Sequence, residues 1–146
     1  MKDAIQEFLT ENPELSEEEK PLYRYSCAEQ MILAANKKYN LNLSQQTINA
    51  IIPFGGGMGC RRTCGIILGA LAVGGVLWGA PKPFDHTKLR AFCAEYTQWF
   101  INTFGSLDCP YIMLMHADPD PAIKCRHCIE QSAEKLEQFI EKYNAL

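Results

Sequence analysis

Cysteines are the residues of this chain whose chemistry is most distinctive, and there are seven of them in 146 residues. Thiolates are strong nucleophiles and good ligands for soft metals, so their abundance points to redox chemistry or metal binding. Six of the seven lie in suggestive sequence settings, namely Cys27, Cys60, Cys64, Cys109, Cys125 and Cys128. The residue types alone leave both uses open.

A glycine run at residues 54–59 comes directly before Cys60 and Cys64, which flank Arg61 and Arg62. If a helix begins around Arg61, both thiols lie near its N-terminus and point to one side. The helix dipole and the two arginines would then favour the thiolate form. This segment is therefore a candidate site for a reactive or metal-binding thiol, with Arg61 and Arg62 beside the bound group.

The glycines themselves are candidate contacts to a bound group. A backbone without side chains can come close to a cluster or a small anion, which makes cofactor-binding residues of Gly56, Gly57 and Gly59. A tight turn combined with close helix packing explains the same glycines equally well. The run lacks the Gly-Lys-Ser/Thr of a P-loop and follows no predicted strand, so neither nucleotide-binding motif is present.

Cys125 and Cys128 form a CxxC near the start of the last predicted helix. Such a pair is either a dithiol or two metal ligands. Ile129 follows where a c-type haem site requires histidine, so that motif is absent. His127, inside the pair, could tune the acidity of its neighbours, whereas Cys93 lies among aromatic residues and is predicted to pack in the core.

Length and composition predict one domain over residues 1–146, because 47% hydrophobic residues suffice for a sizeable core. The net charge of −3 gives no electrostatic reason to expect nucleic-acid binding. The first residues lack the apolar core of a signal peptide, and the longest apolar stretch, Ile66 to Trp78, is too short to span a bilayer. We therefore expect a cytoplasmic chain with reduced thiols and no membrane contact. If those thiols carry redox chemistry, a redox partner protein is expected as well.

Apolar periodicity, caps and breakers predict an all-α fold, a compact bundle of five to six helices around a glycine-rich central helix. Residues 1–20 are predicted to be an acidic, helical N-terminal extension. Cys109-Pro110 is predicted to start an irregular stretch that ends with the prolines before the last helix. The predicted helices are Ala4 to Leu9, Ser16 to Tyr39, Gln45 to Ile52, Thr63 to Trp78, Asp85 to Phe104, and one that begins near Ala122.

The last predicted helix carries an apolar stripe at alternating steps of four and three residues. Such a stripe is a packing seam, either for the domain core or for a second subunit. A homodimer is one of the two expectations that follow. The stripe consists of Ile129, Ala133, Leu136, Ile140 and Tyr143.

Together, these residues resemble a family of redox-active proteins known by the signature C_GCAxxG_C_C, and the similarity runs from about Tyr23 to Leu136. Cys27, in Ser-Cys-Ala-Glu-Gln, is similar to the first cysteine of the signature. The glycine run followed by Cys64-Gly65-Ile66-Ile67-Leu68-Gly69 is similar to its central block. There the cysteine precedes its glycine, and isoleucine stands where alanine is expected. Cys109 and Cys125 resemble the two later cysteines.

The resemblance implies a helical domain with redox or iron–sulfur function. Four thiolates would satisfy an iron–sulfur cluster and make the chain an electron-transfer protein, if the fold brings them together. Zinc would use the same thiolates without redox chemistry. A related domain occurs in split-Soret cytochromes, but the haem does not carry over because this chain has no CxxCH. The implied metal ligands are Cys27, Cys64, Cys109 and Cys125, with Cys60 and Cys128 as extra thiols.

A second hypothesis is a thiol–disulfide oxidoreductase or redox sensor, in which one close pair cycles between dithiol and disulfide. Its redox thiols would be Cys60/Cys64 or Cys125/Cys128. No thioredoxin-like βαβ pattern accompanies the CxxC, which counts against that fold. A third hypothesis is a helical interaction module whose cysteines mostly pack in the core.

Overall fold

The computed structural model of the chain describes residues 1–82 and 86–146. These residues form seven α-helices and no β-strand, so the all-α prediction is confirmed. Three short helical turns connect them, at Lys20–Tyr23, Ile52–Phe54 and Gly57–Arg61. The helices are α1 Lys2–Leu9, α2 Cys27–Tyr39, α3 Gln45–Asn49, α4 Gly65–Trp78, α5 Thr87–Phe104, α6 Cys109–His116 and α7 Arg126–Asn144.

The glycine-rich helix α4 lies at the centre of the bundle, as predicted, and packs against α2, α5 and α7. Its glycines permit this packing, because a β-carbon at Gly69 would lie 2.7 Å from the carbonyl oxygen of Ala28 on α2. A β-carbon at Gly74 would lie 2.4 Å from the ring of Phe92 on α5. Two neighbouring helices therefore touch the backbone of α4 directly.

Helix α4 is also the most apolar helix, yet it is only 14 residues long. Of the helices in the described ranges, none is both long and apolar enough to cross a bilayer.

The stripe on α7 is buried in the core of this same chain. All five of its members are less than one tenth exposed. The hydroxyl of Tyr96 on α5 donates a hydrogen bond of 2.8 Å to the carbonyl oxygen of Ser132 on α7, which fixes these two helices against each other. The stripe therefore packs in the core of its own domain, which is one of the two uses predicted for it. The homodimer stays a prediction, and this stripe does not support it.

The prediction of one helix from Ser16 to Tyr39 is wrong at its start. Ser16 and Glu19 do form the expected reciprocal hydrogen bonds, but the chain then makes only a short 3₁₀ turn. Pro21 lies in that turn, and Arg24 is extended. A second capping box, formed by Ser26 and Glu29, starts α2 at Cys27. The helix therefore begins at the cysteine.

Two further elements differ from the sequence prediction, and a third boundary cannot be compared. The stretch after Cys109, predicted to be irregular, is α6, because Pro110 occupies an opening position where a helix tolerates proline. The last helix begins at Arg126 rather than near Ala122, after turns at residues 119–125. The predicted start of α5 at Asp85 lies outside the described residues.

An isolated β-bridge joins Thr63 to Asp108 and holds two distant segments together. The amide of Cys64 donates to the carbonyl of Leu107, and the amide of Cys109 donates to the carbonyl of Arg62, both at 2.7 Å. Thr63 was predicted to cap α4, but its backbone forms this bridge and Cys64 is the N-cap. The bridge therefore places Cys64 and Cys109 next to each other.

The close approach of α2 to α4 predicts opposite effects for two alanine substitutions on one helix. Gly69→Ala forces a β-carbon into the backbone of α2, and overpacking of this kind costs about 1–3 kcal/mol. Gly75→Ala meets no atom within 4 Å and should stabilise the helix by about 0.5–1 kcal/mol. Urea unfolding followed by circular dichroism measures both values. Equal destabilisation by the two variants would contradict the packing described here.

Candidate functional site

Four cysteines from four distant parts of the sequence line one cavity of about 270 Å³. They are the four that the family resemblance singled out: Cys27, Cys64, Cys109 and Cys125. Cys64 and Cys109 are buried, whereas the other two are half-buried, and all four are free thiols. The fold therefore brings the predicted ligand set to one place.

Each of these cysteines lies at the N-terminus of a helix. Cys27 is the first residue of α2 and Cys109 is the first residue of α6. Cys64 and Cys125 are the N-caps of α4 and α7. Unpaired N–H groups give a helix N-terminus a partial positive charge, so four such ends meet around the thiols. An anionic group is favoured in these surroundings.

Two glycines let the backbone come close to the cysteines. A β-carbon at Gly65, the first residue of α4, would lie 2.6 Å from the sulfur of Cys27. A β-carbon at Gly57 would lie 2.7 Å from the β-carbon of Cys109. Gly57 also has φ +67°, which favours glycine on its own account. A side chain at either position would therefore collide with one of the cysteines.

Only some of the residues predicted to contact a bound group line the cavity. Of the predicted residues, Gly56 and Arg61 line the cavity, whereas Gly57 does not. Arg62 is not among the lining residues and acts through its backbone, which bonds to Gly57 and Cys109. Gly59 is likewise absent from the lining and has φ +69°. Its conformation serves the left-handed turn of the loop.

Burial controls the acidity of the cavity thiols. It raises the pKa of Cys64 to about 12, although the amides of Ile66 and Ile67 at the start of α4 favour the thiolate. Burial likewise raises the pKa of Cys27, and the amide of Gly56 opposes that rise. For Cys125, burial raises the pKa first, and the charges of Cys27 and Cys109 raise it further. The thiols are therefore close enough to influence one another.

The remaining sequence candidates lie outside the cavity lining. Cys60 is exposed, with its sulfur 3.8 Å from the carbonyl oxygen of Gly57. The helix starts at Gly65, four residues after Arg61, so the condition under which both thiols would lie at its N-terminus is not met. Cys128 is buried in the core, where burial raises its pKa to about 11.

His127 and Cys93, which the sequence analysis also considered, lie away from the cavity. His127 is an exposed side chain, and its ring lies 3.9 Å from a carboxylate oxygen of Asp118. Cys93 is half-buried and packs against the core, close to the position that the sequence predicted for it. Neither residue lines the cavity.

Several charged residues and a neutral polar residue that the sequence analysis did not identify also line the cavity. Lys124 and Arg126 flank Cys125 in the sequence, and that adjacency was a signal that could have identified them. Arg24 comes from the turn before α2 and pairs with Glu11. Gln30 lies one helical turn after Cys27 and is 6% exposed. No sequence feature marked Gln30 as a site residue.

Within residues 1–82 and 86–146, no three histidine, cysteine, aspartate or glutamate side chains are arranged to hold one metal ion.

Comparison with known proteins places the chain in a family. Its sequence matches the family described as "Putative redox-active protein (C_GCAxxG_C_C)" over residues 25–139, most of the chain. The chain belongs to this family. No curated protein and no solved structure matches it. The matched residues include all four cysteines of the cavity, so the part of the chain that defines this C_GCAxxG_C_C protein also builds the site.

The burial of the cavity thiols predicts a large spread in their reactivity in the metal-free protein. Cys60 is exposed and should be alkylated by iodoacetamide first. Cys64, with its pKa at about 12, and Cys128, at about 11, should react far more slowly at neutral pH. Only the thiolate reacts, so the rate at Cys64 should rise about tenfold per pH unit. Pulsed alkylation with peptide mass spectrometry measures each rate, and Cys64 reacting as fast as Cys60 would contradict these surroundings.

Proposed function

We propose that this C_GCAxxG_C_C protein binds an iron–sulfur cluster through Cys27, Cys64, Cys109 and Cys125 and acts in electron transfer. One observation carries the proposal: these four thiols, distant in sequence, line a single cavity. Iron–sulfur clusters are held by cysteine thiolates, four in the common types. The donor set of the cavity has the chemistry that such a cluster requires.

Zinc is the alternative group, because four cysteine thiolates can also hold a single zinc ion. An iron–sulfur cluster carries redox chemistry, which agrees with the redox-active description of the family, whereas zinc does not. A metal analysis distinguishes the two.

The electrostatics of the cavity also support an anionic, thiolate-bound group. The N-termini of α2, α4, α6 and α7 supply partial positive charge at the four sulfurs. Arg61 and Lys124 add full positive charges at the cavity. Partial burial keeps water from screening these interactions. When bound, the cluster supplies one-electron redox chemistry, and the chain holds it, stabilises its charge and limits contact with water.

The raised pKa values of the cavity thiols determine what must happen when a cluster binds. In the metal-free protein the thiols of Cys27, Cys64 and Cys125 are largely protonated at neutral pH, because burial disfavours their charged forms. Metal ligation needs thiolates, so binding must release protons. Backbone amides at Gly56 and Ile66 are already placed to stabilise the sulfurs once they are charged.

The second candidate function, a thiol–disulfide oxidoreductase, has weaker support. Reactive redox thiols have lowered pKa values and are partly exposed. Burial raises the pKa of both members of the pair Cys125 and Cys128, and a charge on Cys125 raises that of Cys128 further. In the other pair, Cys60 is exposed whereas Cys64 is buried at the cavity. The observation that favours this candidate is the proximity of the two sulfurs, since the charge of Cys125 affects the pKa of Cys128.

Substitution of single cysteines tests the ligand assignment. Each variant is purified, reconstituted anaerobically with iron and sulfide, and assayed for both elements per chain. Loss of one thiolate leaves the cluster without a full ligand set, so we expect most of the bound iron and sulfide to be lost. The variants are Cys27→Ala, Cys64→Ala, Cys109→Ala and Cys125→Ala.

Cys60→Ala is the matched control, because Cys60 lies in the adjacent loop but outside the cavity lining. It should retain the wild-type iron and sulfide content. Circular dichroism confirms that each variant is folded. Full loading of the four cavity variants would overturn the proposal, as would equal loss in Cys60→Ala.

A further inference from the structure

Part of the cavity wall comes from residues 1–24, which lie outside the family match. Leu9, Glu11 and Arg24 are among the residues that line the cavity. They flank or belong to residues 10–24, which connect the end of α1 to the capping box that starts α2. We call residues 10–24 the flap. One side of the site is therefore built by a part of the chain that does not define the family.

Helix α1, which precedes the flap, is firmly attached to the domain. Ile5 in this helix is fully buried in the core. The side-chain amide of Gln30 on α2 donates a hydrogen bond of 3.2 Å to the carbonyl oxygen of Phe8. The guanidinium of Arg126 on α7 donates one of 3.1 Å to the carbonyl oxygen of Leu9. The flap therefore starts from a fixed point at the cavity.

The flap itself is attached to the protein only near its ends. Within the described part of the chain, residues 12–23 form hydrogen bonds and ion pairs only inside the flap, such as those between Ser16 and Glu19. None of these residues is buried, and Leu22 is 80% exposed. Segments with few buried contacts open at the lowest free-energy cost. The flap is therefore the part of the cavity wall that moves most easily.

One ion pair joins the two ends of the flap. The guanidinium of Arg24 donates to the carboxylate of Glu11, and both side chains line the cavity. The hydrogen bond from Arg24 lowers the pKa of Glu11, so this carboxylate is charged at neutral pH. The side chains of Arg24 and Glu11 are 37% and 32% exposed. Partly exposed pairs contribute modestly to stability, so this pair holds the flap closed without locking it.

We propose that the flap gates the cavity and controls the access of small molecules to its thiols. When it is closed, the pair of Glu11 and Arg24 covers the edge of the site beside Cys27, the cysteine that follows the flap in the chain. When the pair breaks, the flap moves away and the half-buried thiol of Cys27 becomes accessible. As protection of a cluster from oxygen and chelators the inference rests on the proposed function, whereas the gating is measurable on the free thiols.

Two variants that break the same ion pair test the gate. Arg24→Gln and Glu11→Gln are compared with the wild-type chain, each metal-free and full-length, and peptide mass spectrometry follows the alkylation of Cys27 by iodoacetamide. Without the pair the flap opens more often, so we expect this rate to rise about twofold to fivefold in both variants. Cys93 on α5, which does not line the cavity, should keep its rate if the whole domain is not loosened.

The direction of the two effects separates opening from a direct effect of charge. A cation near a thiol favours the thiolate, and a carboxylate disfavours it. If the two residues acted on Cys27 only through their charges, Arg24→Gln would slow its alkylation and Glu11→Gln would accelerate it. Acceleration in both variants therefore identifies the gate, and opposite changes overturn it.

Lys37→Gln is the matched control variant. It breaks another exposed ion pair, with Glu7, which joins α2 to α1 and does not line the cavity. This variant should leave the alkylation rate of Cys27 unchanged. Acceleration as large as that in Arg24→Gln would overturn the proposal.

Amide hydrogen exchange in the wild-type protein is an independent measurement that needs no variant. The amides of Glu19 and Leu22 donate hydrogen bonds inside the flap, whereas Met31 lies in the buried part of α2. We expect the two flap amides to exchange far faster than the amide of Met31. Equal protection of the three amides would show that the flap does not open, and would overturn the proposal.

The gate and the cluster fail separately. Loading of iron and sulfide with unchanged alkylation of Cys27 in both variants removes the gate and keeps the cluster. Faster alkylation in both variants of a protein that takes up no iron or sulfide does the reverse. In the loaded protein, we expect faster loss of iron to a chelator from both variants, and loss at the wild-type rate would overturn the shielding of the cluster.

Discussion

The structure depends on the meeting of four helix N-termini around one cavity. Each terminus contributes a cysteine and unpaired backbone amides, so the same geometry that gathers the sulfurs also supplies positive charge to hold them as thiolates. Opposing this, burial makes the charged thiols costly, which is why the pKa of Cys64 rises to about 12. The proposed cluster would resolve that conflict, because its metal ions would replace the protons and share the charge.

Close backbone contacts hold the four helix N-termini in position around the cavity. The bridge between Thr63 and Asp108 ties the start of α4 to the start of α6. Close approach at Gly69 ties α4 to α2, and a β-carbon at Gly65 would collide with the sulfur of Cys27. Helix α7 completes the site because its apolar face is buried against the same core. The glycines of the family signature therefore determine how near the cysteines can come to one another.

Much of this arrangement follows from sequence, and the exceptions have identifiable causes. The all-α fold and the central glycine-rich helix follow from apolar periodicity and caps. The start of α2 was misplaced because Ser16 and Glu19 form a capping box that Pro21 and the extended Arg24 prevent from growing into a helix. Convergence of the cysteines could not be derived from spacing, since it depends on long-range contacts such as the bridge at Thr63. The place of Gln30 in the cavity lining could not be predicted, because nothing in the local sequence distinguishes a buried amide side chain from a solvated one.

The most direct test of the cluster is its detection in the wild-type protein. The protein is purified without oxygen, and one sample is used for an absorption spectrum, for iron and zinc, and for acid-labile sulfide. Our account predicts visible charge-transfer bands with stoichiometric iron and sulfide, and their loss when the cavity thiols are removed. A colourless protein that contains zinc, or one that stays free of iron and sulfide after anaerobic reconstitution, would contradict it.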